Sequence, residues 1–396
     1  MTHGNATTGS SLLSPSAVGD INRSRVLQAL WDHGPQSRAD LARLAGVTRG
    51  TIGNIVQSLL EAALLEEGEP RTGQVGKPAV PLWFTEQAGL TPVATLDSSG
   101  VQAALVNARG DVLVHEERPF DGAELDVDTT RCAVLDALAA VAGAARTAPI
   151  GVGIAVPGVY DPAARAVLGS TPVPALVGDW LPSAVEDALG LPVVVENDSR
   201  VQALGEKWFG DGRGLRTFAS LQTGHGLGVG MVIDGQVFRG GNAHAAEFGH
   251  TCVVVDGDLC VCGLRGCWET IATLRWLRAQ ARASGLPRPR SVTGARLAEH
   301  AATDGAARRL LERYADHLAV GIANLQQVFA PETVILHGDA AAGGELLRGL
   351  IEDRTRTRVF PGNADEVDVR ISTLGARAGL VGAAALVFSE HFALTA

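Results

Sequence analysis

The 396-residue chain is expected to fold as an α/β body carrying an N-terminal winged helix-turn-helix. From residue 91 onward, apolar β-branched runs alternate with Ala- and Leu-rich helical stretches, the pattern of a sheet with parallel strands and covering helices. Before residue 85, three short helical patterns follow one another around a Gly-containing turn, which is helix-turn-helix spacing. Charge divides at the same place. The formal net charge is −10, yet residues 1–85 hold seven basic and seven acidic side chains, leaving 26 basic and 36 acidic for the rest. An acidic body repels a polyanion, so contact with nucleic acid is expected from the N-terminal piece.

Residues 1–17 are mostly small and polar, lacking the basic start and apolar middle of a secretory signal, and read as a disordered lead-in. Ile21 to His33 places Ile21, Val26, Leu27 and Leu30 on one apolar stripe and stops at Gly34-Pro35. Ser37-Arg-Ala-Asp40 is a capping box opening a short helix with Leu41, Leu44 and Ala45 buried. Ala45-Gly46-Val47-Thr48 reads as a tight turn, with Thr48 capping a third helix that runs to about Ala63 and turns Ile52, Ile55, Val56, Leu59 and Leu60 inward. The second helix of such a pair enters the major groove by its N-terminal end.

Candidate DNA contacts are therefore Ser37 and Arg38 on the first helix, and Thr48, Arg49, Thr51 and Asn54 on the second. Arg49 can bridge a guanine edge or a phosphate, Asn54 an adenine edge, and the threonines a phosphate or a thymine methyl. Glu66 to Trp83 has turn signals at Gly68 and Gly73 and then an apolar strand, resembling a β-wing with Arg71 and Lys77 as groove or phosphate contacts. The expected division is a lead-in at 1–17, a DNA-binding head at 18–85 and a body at 86–396.

In the body, Thr91 to Leu96 and Ala103 to Val106 read as strands, with Gly110-Asp111 as a hairpin turn. Ile150 to Val156 is a buried strand ending in the Pro157-Gly158 turn. Val193 to Val195 leads into Glu196-Asn197-Asp198 and a helix through Glu206 and Trp208. Phe218 to Ile233 is a glycine-rich strand pair turning at Asp234-Gly235, and a long helix from Leu310 to Phe329 precedes a strand at Val334 to Leu336. No apolar run reaches the roughly 18 residues of a membrane span. Five cysteines, three of them clustered, suit a metal in a reducing compartment better than a disulfide framework, so a cytoplasmic location without membrane contact is expected.

The most informative stretch is Glu247-Phe-Gly-His250 followed by Cys260-Val-Cys262-Gly-Leu-Arg-Gly-Cys267-Trp-Glu269. One imidazole and three thiols at these spacings can close a tetrahedral zinc site, and four protein ligands leave no open position for water, so such a zinc is structural. It would stiffen the loop and aim Glu247 and Glu269 at something bound nearby. Cys252, two residues after His250, would point the same way on a strand and competes as a ligand.

With these residues in view, the chain from about 91 to 390 resembles the ROK family of sugar kinases and sugar-responsive repressors. The likeness rests on the His/Cys motif with its flanking glutamates, on Gly153-Ile-Ala-Val-Pro-Gly158, on Glu196-Asn197-Asp198, and on Gly224-x-Gly226-x-Gly228-x-Gly230. It implies two α/β lobes of the actin and hexokinase (ribonuclease H-like) type with sugar in the cleft. A winged helix ahead of that body is the layout of the repressor branch. The resemblance assigns sugar hydroxyls to Gly158, Asn197, Asp198, Glu247, His250 and Glu269. It gives the structural zinc to His250, Cys260, Cys262 and Cys267, favouring His250 over Cys252.

The same resemblance separates kinase from regulator. Asp198 stands where a kinase keeps its base. Family kinases open with Asp-x-Gly-Gly-Thr, whose glycines let amides approach phosphate; here the residues are Asp97-Ser98-Ser99-Gly100-Val101. His225 replaces a Thr in the second phosphate loop, and His337-Gly338-Asp339 replaces a Gly-Gly turn at the nucleotide base. The expectation is a non-enzymatic regulator, a homodimer or homotetramer, that binds double-stranded operator DNA and responds to a monosaccharide or sugar phosphate. The alternative is an ATP-dependent sugar kinase using Asp198.

Overall fold

A computed structural model describes residues 15–70, 79–120 and 126–394. They form two compact units, one built from residues up to Thr85 together with Phe392–Leu394, the other from Glu86–His391.

The first unit runs α1 (Pro15–His33), β1 (Gln36–Ser37), α2 (Arg38–Ala45), α3 (Arg49–Glu61), β2 (Leu65–Glu67) and β3 (Pro81–Phe84). The α1 helix begins at Pro15, inside the stretch expected to be disordered, and Ile21 is exposed whereas Val26, Leu27 and Leu30 are buried. At the start of α2, Ser37 Oγ accepts from Asp40 N–H at 3.2 Å as an N-cap and donates to Asp40 Oδ2 at 2.7 Å, a side-chain pairing in place of the reciprocal bond of a capping box. Gly46 ends α2 at φ 67, where a side chain would strain the turn, and Thr48 Oγ1 caps α3 by accepting from Thr51 N–H. Leu44 is exposed rather than buried, because Leu41, Ala42 and Ala45 supply the inward face of this short helix.

Strand β3 pairs antiparallel with β2 on one side and with the two-residue β1 on the other. The core of the unit is Trp31 stacked on Phe84 at 4.4 Å between ring centroids, with Leu30, Leu41, Val56, Leu59 and Leu82 around it. Phe392 belongs to this unit as well: its ring lies 5.7 Å from Trp31, and its carbonyl accepts from Ser24 Oγ at 2.7 Å. Arg71 and Lys77 lie outside the described residues.

The second unit opens with β4 (Thr91–Asp97), β5 (Gly100–Val106), β6 (Val112–Pro119), α4 (Val127–Ala142) and β7 (Val152–Val156). A small β8 (Val159–Asp161) and β9 (Ala166–Gly169) ribbon follows, then α5 (Trp180–Leu189), β10 (Val193–Asn197) and α6 (Asp198–Phe209). The chain continues through β11 (Phe218–Thr223), β12 (Leu227–Ile233), β13 (Gln236–Val237), α7 (Leu274–Ala283), α8 (Gly294–His300) and α9 (Gly305–Phe329). It finishes with β14 (Thr333–His337), α10 (Gly338–Ala342), α11 (Gly344–Arg356), β15 (Val369–Ile371) and α12 (Arg377–His391). The strand pair β11–β12 turns at Gly224-His225-Gly226, and Asp234-Gly235 turns instead into β13, one strand later than its sequence suggests.

Two five-stranded sheets result, in the orders β10-β7-β4-β5-β6 and β13-β12-β11-β14-β15. Each is an antiparallel meander of three strands extended by two parallel ones, so the same topology occurs twice. Each sheet has its own apolar core, one around Leu138, Ile154 and Leu181, the other around Leu277, Tyr314 and Leu336. This is the two-lobed α/β architecture of the actin and hexokinase type.

Helices α6 and α12 pack closely against each other, and small residues make this possible. A Cβ on Gly382 would lie 1.9 Å from the Val201 carbonyl oxygen, a backbone atom that cannot turn aside. Gly382→Ala is therefore expected to cost about 1–3 kcal/mol despite the better helix propensity of Ala, seen as a melting temperature lowered by several degrees. Gly349→Ala on α11, where a Cβ meets nothing within 4 Å, should not lower it.

Candidate metal centre and ligand cleft

The His/Cys motif folds into a knuckle. Phe248–His250 forms a single 3-10 turn, and antiparallel backbone β-bridges pair Cys252 with Cys267 and Leu259 with Arg265, so residues far apart in the motif return to one point. Ligand atoms of His250, Cys260, Cys262 and Cys267 all lie within 4.8 Å of one another. Cys260 Sγ is 3.6 Å from His250 Nδ1, and Cys262 Sγ is 3.7 Å from Cys267 Sγ. A tetrahedron with Zn–S of about 2.3 Å and Zn–N of about 2.0 Å has S···S edges of about 3.8 Å and N···S edges of about 3.5 Å. The donor set therefore fits a tetrahedral metal ion. Cys252 is not in the cluster; its thiol points to the Val254 carbonyl at 3.6 Å.

Burial and the neighbouring thiols push Cys267 up to about 12, and burial raises Cys260 as well. Several thiolates cannot share this space unless a cation neutralises them, which is what a divalent metal supplies. With Nδ1 turned to Cys260, the other ring nitrogen of His250 is left for a hydrogen bond elsewhere.

The carboxylates converge beside the knuckle. Asn197 caps α6, its Oδ1 accepting from Ser199 and Arg200 N–H, while its Nδ2 donates to the Gly158 carbonyl at 2.9 Å. Asp198, the first residue of α6, is pushed up to about 6 by burial, with the charges of Glu247 and Asp97 adding to the effect. Burial likewise raises Glu269, whereas the nearby Arg275 guanidinium pulls it back. Asn197, Gly158, Asp198, Glu247, His250 and Glu269 are thus brought into one neighbourhood, where carboxylates and an amide can grip vicinal hydroxyls.

Glu196 was read from sequence only as part of its motif, without a role, and its partners Arg200 and Arg239 were not singled out at all. Glu196, only 3% exposed, takes Arg200 on one oxygen at 3.2 Å and Arg239 on the other at 2.9 Å. Arg200 also donates to the Ala245 carbonyl at 2.8 Å, tying the segment before Glu247 to the start of α6. The one available signal was the four-residue spacing of Glu196 and Arg200 across the Asn197-Asp198 motif.

At the positions that the resemblance assigns to a kinase's nucleotide contacts, the chain makes hydrogen bonds of its own. Asp97 Oδ1 accepts from Ser99 N–H at 2.6 Å, from Gly100 N–H at 3.2 Å and from the Ser99 hydroxyl, so those amides are already engaged. Val101 is buried in the sheet. Asp339 is buried too, its carboxylate accepting from Gly294 N–H at 3.0 Å. His225 is exposed at the tip of the β11–β12 turn.

In the first unit, Thr48, Arg49 and Asn54 are exposed at the start and outer face of α3, and Thr51 shares a hydroxyl hydrogen bond with Thr48. Ser37 is spent on capping α2, and Arg38 is ion-paired with Glu67 at 2.6 Å, which removes both from the freely presented donors. Among the described residues no helix is long and apolar enough to cross a membrane.

Comparison with known proteins covers both units. A model of the ROK family matches residues 98–390. A xylose repressor from Caldicellulosiruptor bescii is 28% identical over 387 residues, spanning 93% of this chain and 96% of that protein. A crystal structure of a ROK family transcriptional regulator, homologous to the MLC protein of E. coli, aligns with TM-score 0.78 and 26% identity, covering 96% of this chain and 98% of the other. A ROK family glucokinase from Streptomyces griseus, solved with glucose and AMPPNP, aligns with TM-score 0.66 and 31% identity, covering 98% of that chain but only 75% of this one.

Proposed function

The chain belongs to the ROK family, and from that premise we propose that it is a sugar-responsive transcription regulator, acting as a repressor. In this reading the head binds double-stranded operator DNA, with Thr48, Arg49, Thr51 and Asn54 of α3 in the major groove and the wing residues Arg71 and Lys77 on groove or phosphate. A monosaccharide or sugar phosphate sits among Gly158, Asn197, Asp198, Glu247, His250 and Glu269. A structural Zn2+ held by His250, Cys260, Cys262 and Cys267 sets the aim of the two glutamates. The carrying observation is that repressor-like likeness spans the whole chain whereas kinase likeness stops at the body. The Ser99 amide engaged by Asp97, and a buried Asp339 at the turn expected for a nucleotide base, support the same reading.

A cytoplasmic homodimer or homotetramer follows from two heads reading a pseudo-palindromic site. The sugar can alter DNA affinity only by its unequal affinity for the DNA-binding and released conformations.

Fluorescence anisotropy with a duplex from the protein's own upstream promoter tests this directly. Tight binding should be released by one or a few sugars from a panel of pentoses, hexoses and their phosphates. Failure to recognise the duplex, or sustained ADP formation with any hexose, would overturn the reading. Arg49→Ala should weaken operator binding and lower the slope of log K against log salt by about one unit if the guanidinium contacts phosphate. An unchanged slope with relaxed sequence preference would move Arg49 to a base edge.

A further inference from the structure

We infer that the surface cavity at the C-terminal end of α7, ringed by Arg282, Arg288 and Arg290, binds a phosphate-bearing small molecule. The cavity measures about 520 Å³ and is lined by these three arginines with Pro289 and Ser291. That volume is within the range of small-ligand pockets of roughly 300–1,000 Å³ and offers no bed for a duplex.

The charge at this place runs against the rest of the body. Residues 86–396 are acidic overall, yet from Thr270 to Ala298 there are six arginines and no Asp or Glu. Elsewhere in the body many arginines reach carboxylates, as Arg118, Arg165, Arg200 and Arg348 do. Within the stretch, Arg278 donates to the Val292 carbonyl and Arg296 to the Ser291 hydroxyl, so these two shape the loop. Among the described residues, Arg282, Arg288 and Arg290 make no ion pair and no side-chain hydrogen bond. Three guanidiniums facing one cavity repel each other, and the fold provides no carboxylate to relieve them; a dianionic or trianionic phosphate would.

The backbone is committed to this display. Arg288 stands between Pro287 and Pro289 at φ 51, a left-handed conformation that is sterically costly for a residue with a side chain. The flanking prolines fix their own φ, so the backbone that carries the two exposed arginines has little freedom to lose on binding. A guanidinium fork matches phosphate oxygens in a bidentate fashion and keeps its charge at any working pH. The sign of the helix dipole favours a cation beside Arg282 but does not explain Arg288 and Arg290 beyond the helix.

Calorimetric titration of the full-length protein with inorganic pyrophosphate at low salt tests the site. Wild type should bind saturably, and its melting temperature should rise with pyrophosphate concentration. Arg282→Gln and Arg290→Gln should each weaken binding by about tenfold, and the double variant should abolish the thermal shift while melting normally without ligand. Arg216→Gln, whose guanidinium is ion-paired with Asp234 on the surface, should leave binding unchanged. Parallel titrations with glucose 6-phosphate and with ATP tell a sugar phosphate from a nucleotide as the source of the phosphate. No binding by wild type, or binding indifferent to both substitutions, would overturn the site. Loss of DNA affinity in the double variant, without pyrophosphate binding in wild type, would replace it with a nucleic-acid contact.

Discussion

Cys262→Ser will empty the metal site and loosen the loop that carries Glu247 and Glu269. The knuckle has almost no apolar core of its own: Val254, Val255, Leu259, Val261 and Leu264 are all exposed. Its internal support is a handful of backbone bonds, such as Cys260 N–H to Leu264 O and Val253 N–H to Gly266 O. A metal held by the four ligands would thus be the centre about which the segment is built. Structural zinc contributes on the order of 10 kcal/mol in small zinc peptides, which sets the upper scale of the loss. Zinc content should fall from one ion per chain to none, and sugar release of the operator should disappear. Trp268, buried with its Nε1–H on the His317 carbonyl, anchors the far end of the segment in the lobe, so the two sheets should stay folded. Cys252→Ser is the matched control and should change neither zinc content nor response, because that sulfur lies outside the cluster. Full zinc and a normal sugar response in Cys262→Ser would refute the four-ligand centre.

Asp198→Asn should weaken sugar affinity by about ten- to a hundredfold, the value of a hydrogen bond to a charged group, with operator binding in the absence of sugar unchanged. The pH dependence has a definite direction. Because Asp198 is raised to about 6 in the folded protein from its ordinary 3.8, the native state holds this proton more tightly than the unfolded chain. Its contribution to stability is therefore most favourable at low pH and declines as pH rises from about 4 to 6. Sugar binding runs the opposite way, since the ionised carboxylate is the stronger acceptor: wild-type affinity should fall as pH is lowered from 7.5 to 5, and the Asn variant should lose that part of the slope. A variant that binds sugar normally, alongside a flat wild-type profile, would take Asp198 out of the contact set.

Much of the site was readable because its parts are neighbours in sequence. The four clustered ligands fall between His250 and Cys267, and caps such as Ser37 and Thr48 announce the helices they start. What escaped reading depends on distance or on topology. Arg239 meets Glu196 across 43 residues, and no local pattern records such a pairing. Two-residue β1 is too short to show any period, and Leu44 looked buried because five apolar residues crowd a helix of eight. The duplicated sheet order lives in strand connection, not in repeated residues, so it is invisible until the chain is folded.

The last residues of the chain have a practical bearing on how the molecule can be handled. Phe392 completes the aromatic cluster of Trp31 and Phe84, although it follows α12 of the other unit. An excised fragment ending at Thr85 would leave Trp31 short of one wall, so a faithful miniature needs a graft of the carboxy-terminal tail. An affinity tag appended after Ala396 would hang from the very piece that has to reach a promoter; an amino-acid deletion of only five residues there would damage the opposite end of the gene product.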